Sequence, residues 1–261
     1  MYSMEERVHY EKNQLINVIC QLRFPRILTI GSKEPADFQE AIRKHFPRYS
    51  FKTETPPPLP VNQDGKITLQ NREPIRNYSF SSLDGKESLN LTDGFLSLTV
   101  SEYTDWESFA ALLDYATAEF CRIYEPACFE RVGLRYLNAF SREELGLEGS
   151  RWSDLISPAY CGLLGEEDTA DSDFSRCTQD AEFKARGGCS VRIHAGPGLV
   201  KRGGIQEKVP RYILDLDVFM QGQLPLRQLT GALQSAHLVA SRIFRDAIRE
   251  DLHRAMGPSL L

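Results

Sequence analysis

The chain has 261 residues, 41% of them hydrophobic and 26% charged, an ordinary globular composition that excludes a disordered or fibrous protein. A body of this length buries roughly three quarters of the surface its unfolded chain exposes, so a sizeable core is expected. The net charge of −5, from 31 basic and 36 acidic groups, disfavours a protein that holds nucleic acid mainly by neutralising phosphates.

No apolar run reaches the roughly 18 residues that a membrane helix needs. The start MYSMEERVHYEKNQL lacks the apolar centre of a signal peptide, so a cytoplasmic chain without a membrane span is expected. Cys20, Cys121, Cys128, Cys161, Cys177 and Cys189 form no C-x-x-C pair and read as small buried hydrophobes. His9, His45, His194, His237 and His253 show no ligand spacing, so neither a metal nor a cofactor is expected.

In chain order, QLINVICQLRFPRIL is rich in β-branched residues and reads as a strand up to Pro25. Pro35 opens a helix that places Phe38, Ile42 and Phe46 at spacings of four. SFKTETPPPLP must be extended or an edge because of its three prolines. NYSFSSL, ESLNL and FLSLTVSEY, separated by Asp84-Gly85 and Asp93-Gly94, predict three antiparallel strands joined by tight turns. A capping box in which Thr104 caps and Glu107 reaches back predicts a long helix, with Trp106, Phe109, Leu113, Ala116, Phe120 and Ile123 on one stripe and Pro126 as its stop.

A second set of elements follows in the same order. FERVGLRYLNAF reads as a strand, SDLISPAYCGLL as helical but broken by Pro158, and TQDAEFKA, GCSVRIHA and RYILDLDVFM as strands. Pro225 then opens a second long helix. LRF at 22 to 24 and LRY at 134 to 136 lie 134 − 22 = 112 residues apart, about one unit. The expected fold is α+β: an internally duplicated strand, helix, strands, long helix unit, residues 1–126 and 127–261. Its two antiparallel sheets would join into one pseudo-twofold body with the long helices on one side, like a saddle or a helix-grip domain.

QLRFP near the start, NYSFSSLDGKESLNLTDGFLSLTVSEYTDWESF in the middle, RVGLRYLN after it and FRDAIREDLHRAMGP near the end carry a resemblance. Together they resemble a family of sporadically distributed, functionally uncharacterised prokaryotic proteins of about this length. That resemblance implies no catalytic residues. The family's patchy distribution implies a sensor or adaptor of an antiviral defence or toxin–antitoxin type locus, acting with a protein partner encoded nearby.

The residues add candidates of their own. Arg23 alternates with Leu22 and Phe24, and Arg135 with Leu134 and Tyr136, so both arginines should leave the sheet on the side away from the helices. One reading is a ligand or partner surface of Arg23, Arg135, Tyr136 and Asn138. The other is a neutralised lattice in which Arg135 meets Asp215 and Asp217. RKHFPRYSFK, residues 43 to 52, mixes basic and aromatic side chains as single-strand binders do, or is a basic helix end with its aromatics turned inward. HAGPGLVKRGGIQEKVP, residues 194 to 210, fits no phosphate-loop pattern and reads as a long hairpin loop open to a partner. GEEDTADSD, residues 165 to 173, lacks the glycine and glutamate of a calcium loop and reads as a solvated connection. His237 reads as a packed histidine, and no hydrolase motif appears. A non-enzymatic binding protein is therefore expected, with a small-molecule or lipid module holding its ligand between sheet and helices as one alternative. A nucleic-acid saddle is the other, disfavoured by charge.

Overall fold

The computed structural model describes residues 8–55, 57–63, 66–185, 187–202 and 205–260. In chain order they form β1 (Val8–Tyr10), β2 (Leu15–Arg23), α1 (Leu28–Ser32), α2 (Ala36–Ile42), β3 (Arg48–Glu54), β4 (Leu59–Gln63), β5 (Lys66–Gln70), β6 (Ile75–Ser81), β7 (Glu87–Leu91), β8 (Phe95–Val100) and α3 (Trp106–Tyr124). After these come β9 (Phe129–Phe140), α4 (Arg142–Leu145), α5 (Trp152–Leu155), α6 (Pro158–Cys161), β10 (Gln179–Lys184), β11 (Ser190–Gly198), β12 (Lys201–Arg202), β13 (Ile205–Gln206), β14 (Arg211–Leu224), α7 (Leu229–Ala247), α8 (Glu250–Ala255) and β15 (Pro258–Leu260).

The fold is α+β around one nine-stranded antiparallel sheet, ordered β10-β11-β14-β9-β2-β8-β7-β6-β3. At its centre β2 pairs with β9 from Leu15↔Asn138 to Arg23↔Arg131. Among the described residues no helix is long and apolar enough to cross a membrane.

Period-two alternation assigns the sheet's two faces. Val18, Cys20 and Leu22 of β2, Val132 and Leu134 of β9 and Leu214, Leu216 and Val218 of β14 are buried on the face that carries the helices. There α3 inserts Phe109, Leu113, Ala116 and Phe120, while α7 inserts Leu233, Ala236, Ala240 and Ile243. Phe120 packs on Phe24 at 4.7 Å and edge-on to Phe38, which in turn meets Phe80 of β6. Burial pushes the Cys20 thiol well above its usual range and the Cys161 thiol to about 12, so both stay protonated and unreactive.

The helix-free face is polar and self-neutralised. Arg131 forks onto Asp217 at 2.7 and 2.8 Å, Arg135 onto Asp215, and Arg192 pairs with Glu182. Phe219, an aromatic on this side, is buried because the Arg131 and Arg192 guanidiniums lie over its ring at 4.5 and 5.0 Å. Gly133, directly opposite Phe219, leaves the room that Arg131 crosses to reach Asp217.

Several expectations change in detail. The cap of α3 is Asp105 rather than Thr104: its backbone is extended, its carboxylate accepts from the Ser108 N–H at 2.7 Å, and Trp106 becomes the first helical residue. The helix stops at Glu125, which adopts φ 44° ahead of Pro126. Tyr49 and Phe51 do not turn inward; they lie on the edge strand β3, 38% and 50% exposed, while Phe46 alone of that segment's aromatics is fully buried. In the 165–173 stretch Asp171 is an anchor, accepting from Arg142 at 2.6 Å and from the Trp152 N–H.

Two predictions follow the geometry. Gly133→Ala drives a methyl into the Arg131 guanidinium and should cost about 1–3 kcal/mol in urea unfolding. Gly149→Ala, which meets nothing, should change stability by less than about 0.5 kcal/mol. The hydrogen bonds from Ser108 lower the Asp105 pKa from 3.8, so its capping contribution is present above that value and lost as pH falls through the lower folded pKa. Asp105→Ala should therefore cost about 1 kcal/mol at neutral pH and progressively less in acid, as read by denaturant midpoints across pH.

Candidate functional site

Where the first turn of α3 meets the middle of α7 above β9, the layers separate and leave a cavity of about 260 Å³. Its floor is β9 and β14, through Tyr136, Asn138 and Leu216, and one wall is α7, through His237, Ala240 and Phe244. The facing wall is Tyr103 and Trp106 at the start of α3, and β1 closes the side with Val8, His9 and Tyr10. A register shift in β2 between Leu15 and Asn17 brings Leu15 opposite Asn138, and such a bulge bends the strand at this corner.

The aromatic walls hold one another. Trp106 stacks on His237 with centroids 4.3 Å apart and planes 5° from parallel, and its indole N–H donates to Gln234 at 3.0 Å. His237 Nδ1 meets the Tyr136 hydroxyl at 2.7 Å, and Tyr103 stands edge-on to Tyr136. Across the cavity Tyr10 packs edge-on to Phe244, with its hydroxyl 2.9 Å from His253 Nδ1. Strand β1 pairs with β15, so residues 258 to 260 hold this wall in place.

Polarity is unevenly placed. Asn138 is 2% exposed and donates its amide N–H to the Leu214 carbonyl at 3.1 Å. That carbonyl can only accept, which fixes the side chain's orientation and leaves Oδ1 as an acceptor. At the rim Arg245 is committed to the Ile248 carbonyl and to Glu250, and Asp105 to Ser108. Arg242, also at the rim, is exposed and forms no ion pair among the described residues. Among the described residues no cluster of three His, Cys, Asp or Glu side chains is arranged to hold a metal ion.

The four residues singled out by sequence divide between the two faces of the sheet. Tyr136 and Asn138 line the cavity, whereas Arg23 and Arg135 emerge on the helix-free face. Cross-strand, Arg23 faces Arg131, and Arg135 faces Ile19. Arg135 belongs to the neutralised lattice; the Asp215 hydrogen bond raises its pKa above the ordinary value. Arg23 borders a separate open groove with Arg26, Arg72, Asp93 and Glu130. A single surface containing all four is excluded by the alternation that separates residue 135 from 136.

Sequence reading missed Trp106, Tyr103 and Arg242 as site residues, and it took His237 as packing alone. The available signal was the cap: once Asp105 is the first-turn acceptor, Trp106 starts the helix at a layer boundary rather than in mid-stripe. No protein-family model and no curated protein matches the chain.

Removing the two kinds of candidate should cost very different amounts of stability. Arg135→Ala breaks a pair whose arginine is 49% exposed and should lower stability by less than about 1 kcal/mol. Trp106→Ala deletes a 7%-exposed indole and its stack and should cost about 3–5 kcal/mol, both read from chemical denaturation.

Proposed function

We propose that this chain is a non-catalytic binding protein that holds a small molecule in the cavity between its sheet and its two long helices. One observation carries the reading. Tyr103, Trp106, Tyr136 and His237 come from three elements, are locked by stacking and hydrogen bonds, and yet surround space instead of closing it. Core side chains normally interdigitate at crystal-like density, and a rigid aromatic-lined void with a polar floor is the usual form of a ligand site. Of the sequence expectations, the small-molecule module is therefore favoured.

The same body reads as a duplicated unit. Outward from β2·β9 the order is β8, β7, β6 in one direction and β14, β11, β10 in the other, each half ending in its long helix. The facing residues Gln21 and Gly133 differ by 133 − 21 = 112, the spacing of the LRF and LRY segments, as a twofold through that pair requires. One half then differs from the other by carrying the cavity's α7 wall.

A partner-coupled sensor or adaptor, the role implied by family resemblance, has its own support in β3. This edge strand is exposed along its length and carries Tyr49 and Phe51 uncovered, a form of edge that chains normally protect or pair. If a protein encoded beside this chain pairs there, Phe51→Lys should release it from the co-purified complex, and retention would dismiss the strand as the contact.

Native mass spectrometry of the purified chain should reveal added mass from a bound small molecule. Ala240→Leu, which fills the cavity from α7, should remove that mass while leaving the circular dichroism spectrum unchanged. Retention of the ligand by the folded Ala240→Leu protein would place binding elsewhere.

A further inference from the structure

Size, wall chemistry and the two polar ends narrow the ligand, on the premise that the cavity is the binding site. A dry void of about 150 Å³ accepts benzene. The about 260 Å³ here admits one substituted ring, below the roughly 300–1,000 Å³ typical of drug-sized ligands. Ring faces and edges of Tyr103, Trp106, Tyr136 and Phe244 favour a flat aromatic occupant over a flexible chain, since aromatic pairs add specific edge and face contacts to simple burial.

The floor demands a donor. Asn138 is buried, its N–H side is consumed by Leu214, and among the described residues nothing donates to its Oδ1. A ligand that covers this acceptor without meeting it forfeits the hydrogen bond, so one that offers an O–H or N–H there is selected over one that does not. The rim demands a negative charge. Arg242 is the exposed cation at the mouth that the described residues do not neutralise, whereas the acid nearby, Asp105, is turned to its helix N–H.

We propose that the cavity binds a monocyclic aromatic acid with a hydrogen-bond donor on its ring. The ring slots beside the Trp106–His237 stack, the donor meets Asn138 Oδ1 on the floor, and the anionic group lies against Arg242 at the rim. Asn138 is buried and Arg242 exposed, so a donor on one end of the ring and an acid on the other satisfy both together.

Three compounds test this by isothermal titration against the intact protein: 4-hydroxyphenylacetate, phenylacetate without the donor, and 4-hydroxyphenylacetamide without the charge. The first should bind tightest. Loss of the hydroxyl should weaken binding by about tenfold or more, and loss of the charge by about threefold to tenfold with a dependence on salt. In Asn138→Leu the hydroxylated and unhydroxylated acids should bind alike, and in Arg242→Ala the acid and the amide should. The wild-type comparisons stand even where Asn138→Leu does not fold. Equal binding of all three by the wild type overturns the proposed class, as does no binding of any. Indole, neutral and of similar size, separates the two levels. Indole binding that Ala240→Leu removes keeps the cavity reading while the acid class falls; no indole binding alongside no acid binding removes both.

Discussion

The pairing of β2 with β9 is the constraint on which everything else hangs. It joins residues more than a hundred positions apart through a ladder that includes Gln21↔Gly133, and it turns two partial sheets into one. Without it each partial sheet would present an open inner edge and each long helix would lie over half a floor. The cavity exists only because that ladder sets α3 and α7 side by side, near enough for Trp106 to stack on His237. Contacts of such sequence separation are slow to find, so the ladder also sets the expected rate-limiting stage of folding.

The sheet divides labour between its faces. On the helix-free side, charge is used to cover charge: Arg131, Arg135 and Arg192 each have a carboxylate, and two of them shield Phe219. On the helix side, directed hydrogen bonds tie polar groups down, as in the Tyr136–His237 bond and the Asn138–Leu214 bond. A lattice that satisfies itself has little left for a ligand, whereas the cavity presents the Asn138 acceptor and the Arg242 cation.

Much of the fold was legible because periodicity survives in a single sequence. The strands around Leu22, Leu134 and Leu216 and the stripes of α3 and α7 could be read from alternation at two and at three to four. The site was less legible. Alternation placed Arg135 and Tyr136 on opposite faces, yet both were grouped in one surface because neighbours in sequence invite grouping. The long-range packing of Trp106 on His237 leaves no local trace, since each residue merely continues the apolar stripe of its own helix. The exposure of Phe51 was equally hidden, because whether an edge strand is covered depends on helices that β3 never touches in sequence.

Strand β1 forms part of the cavity wall, and its ladder partner among the described residues is β15, with His9 and Ser259 250 positions apart. The side wall of the cavity is thus held by residues that only long-range pairing brings to it. Beside that ladder, β1 is anchored by Tyr10 against Phe244 and His253, and the chain after it by the Glu11 and Lys12 N–H groups donating to the carbonyls of Gly257 and Met256.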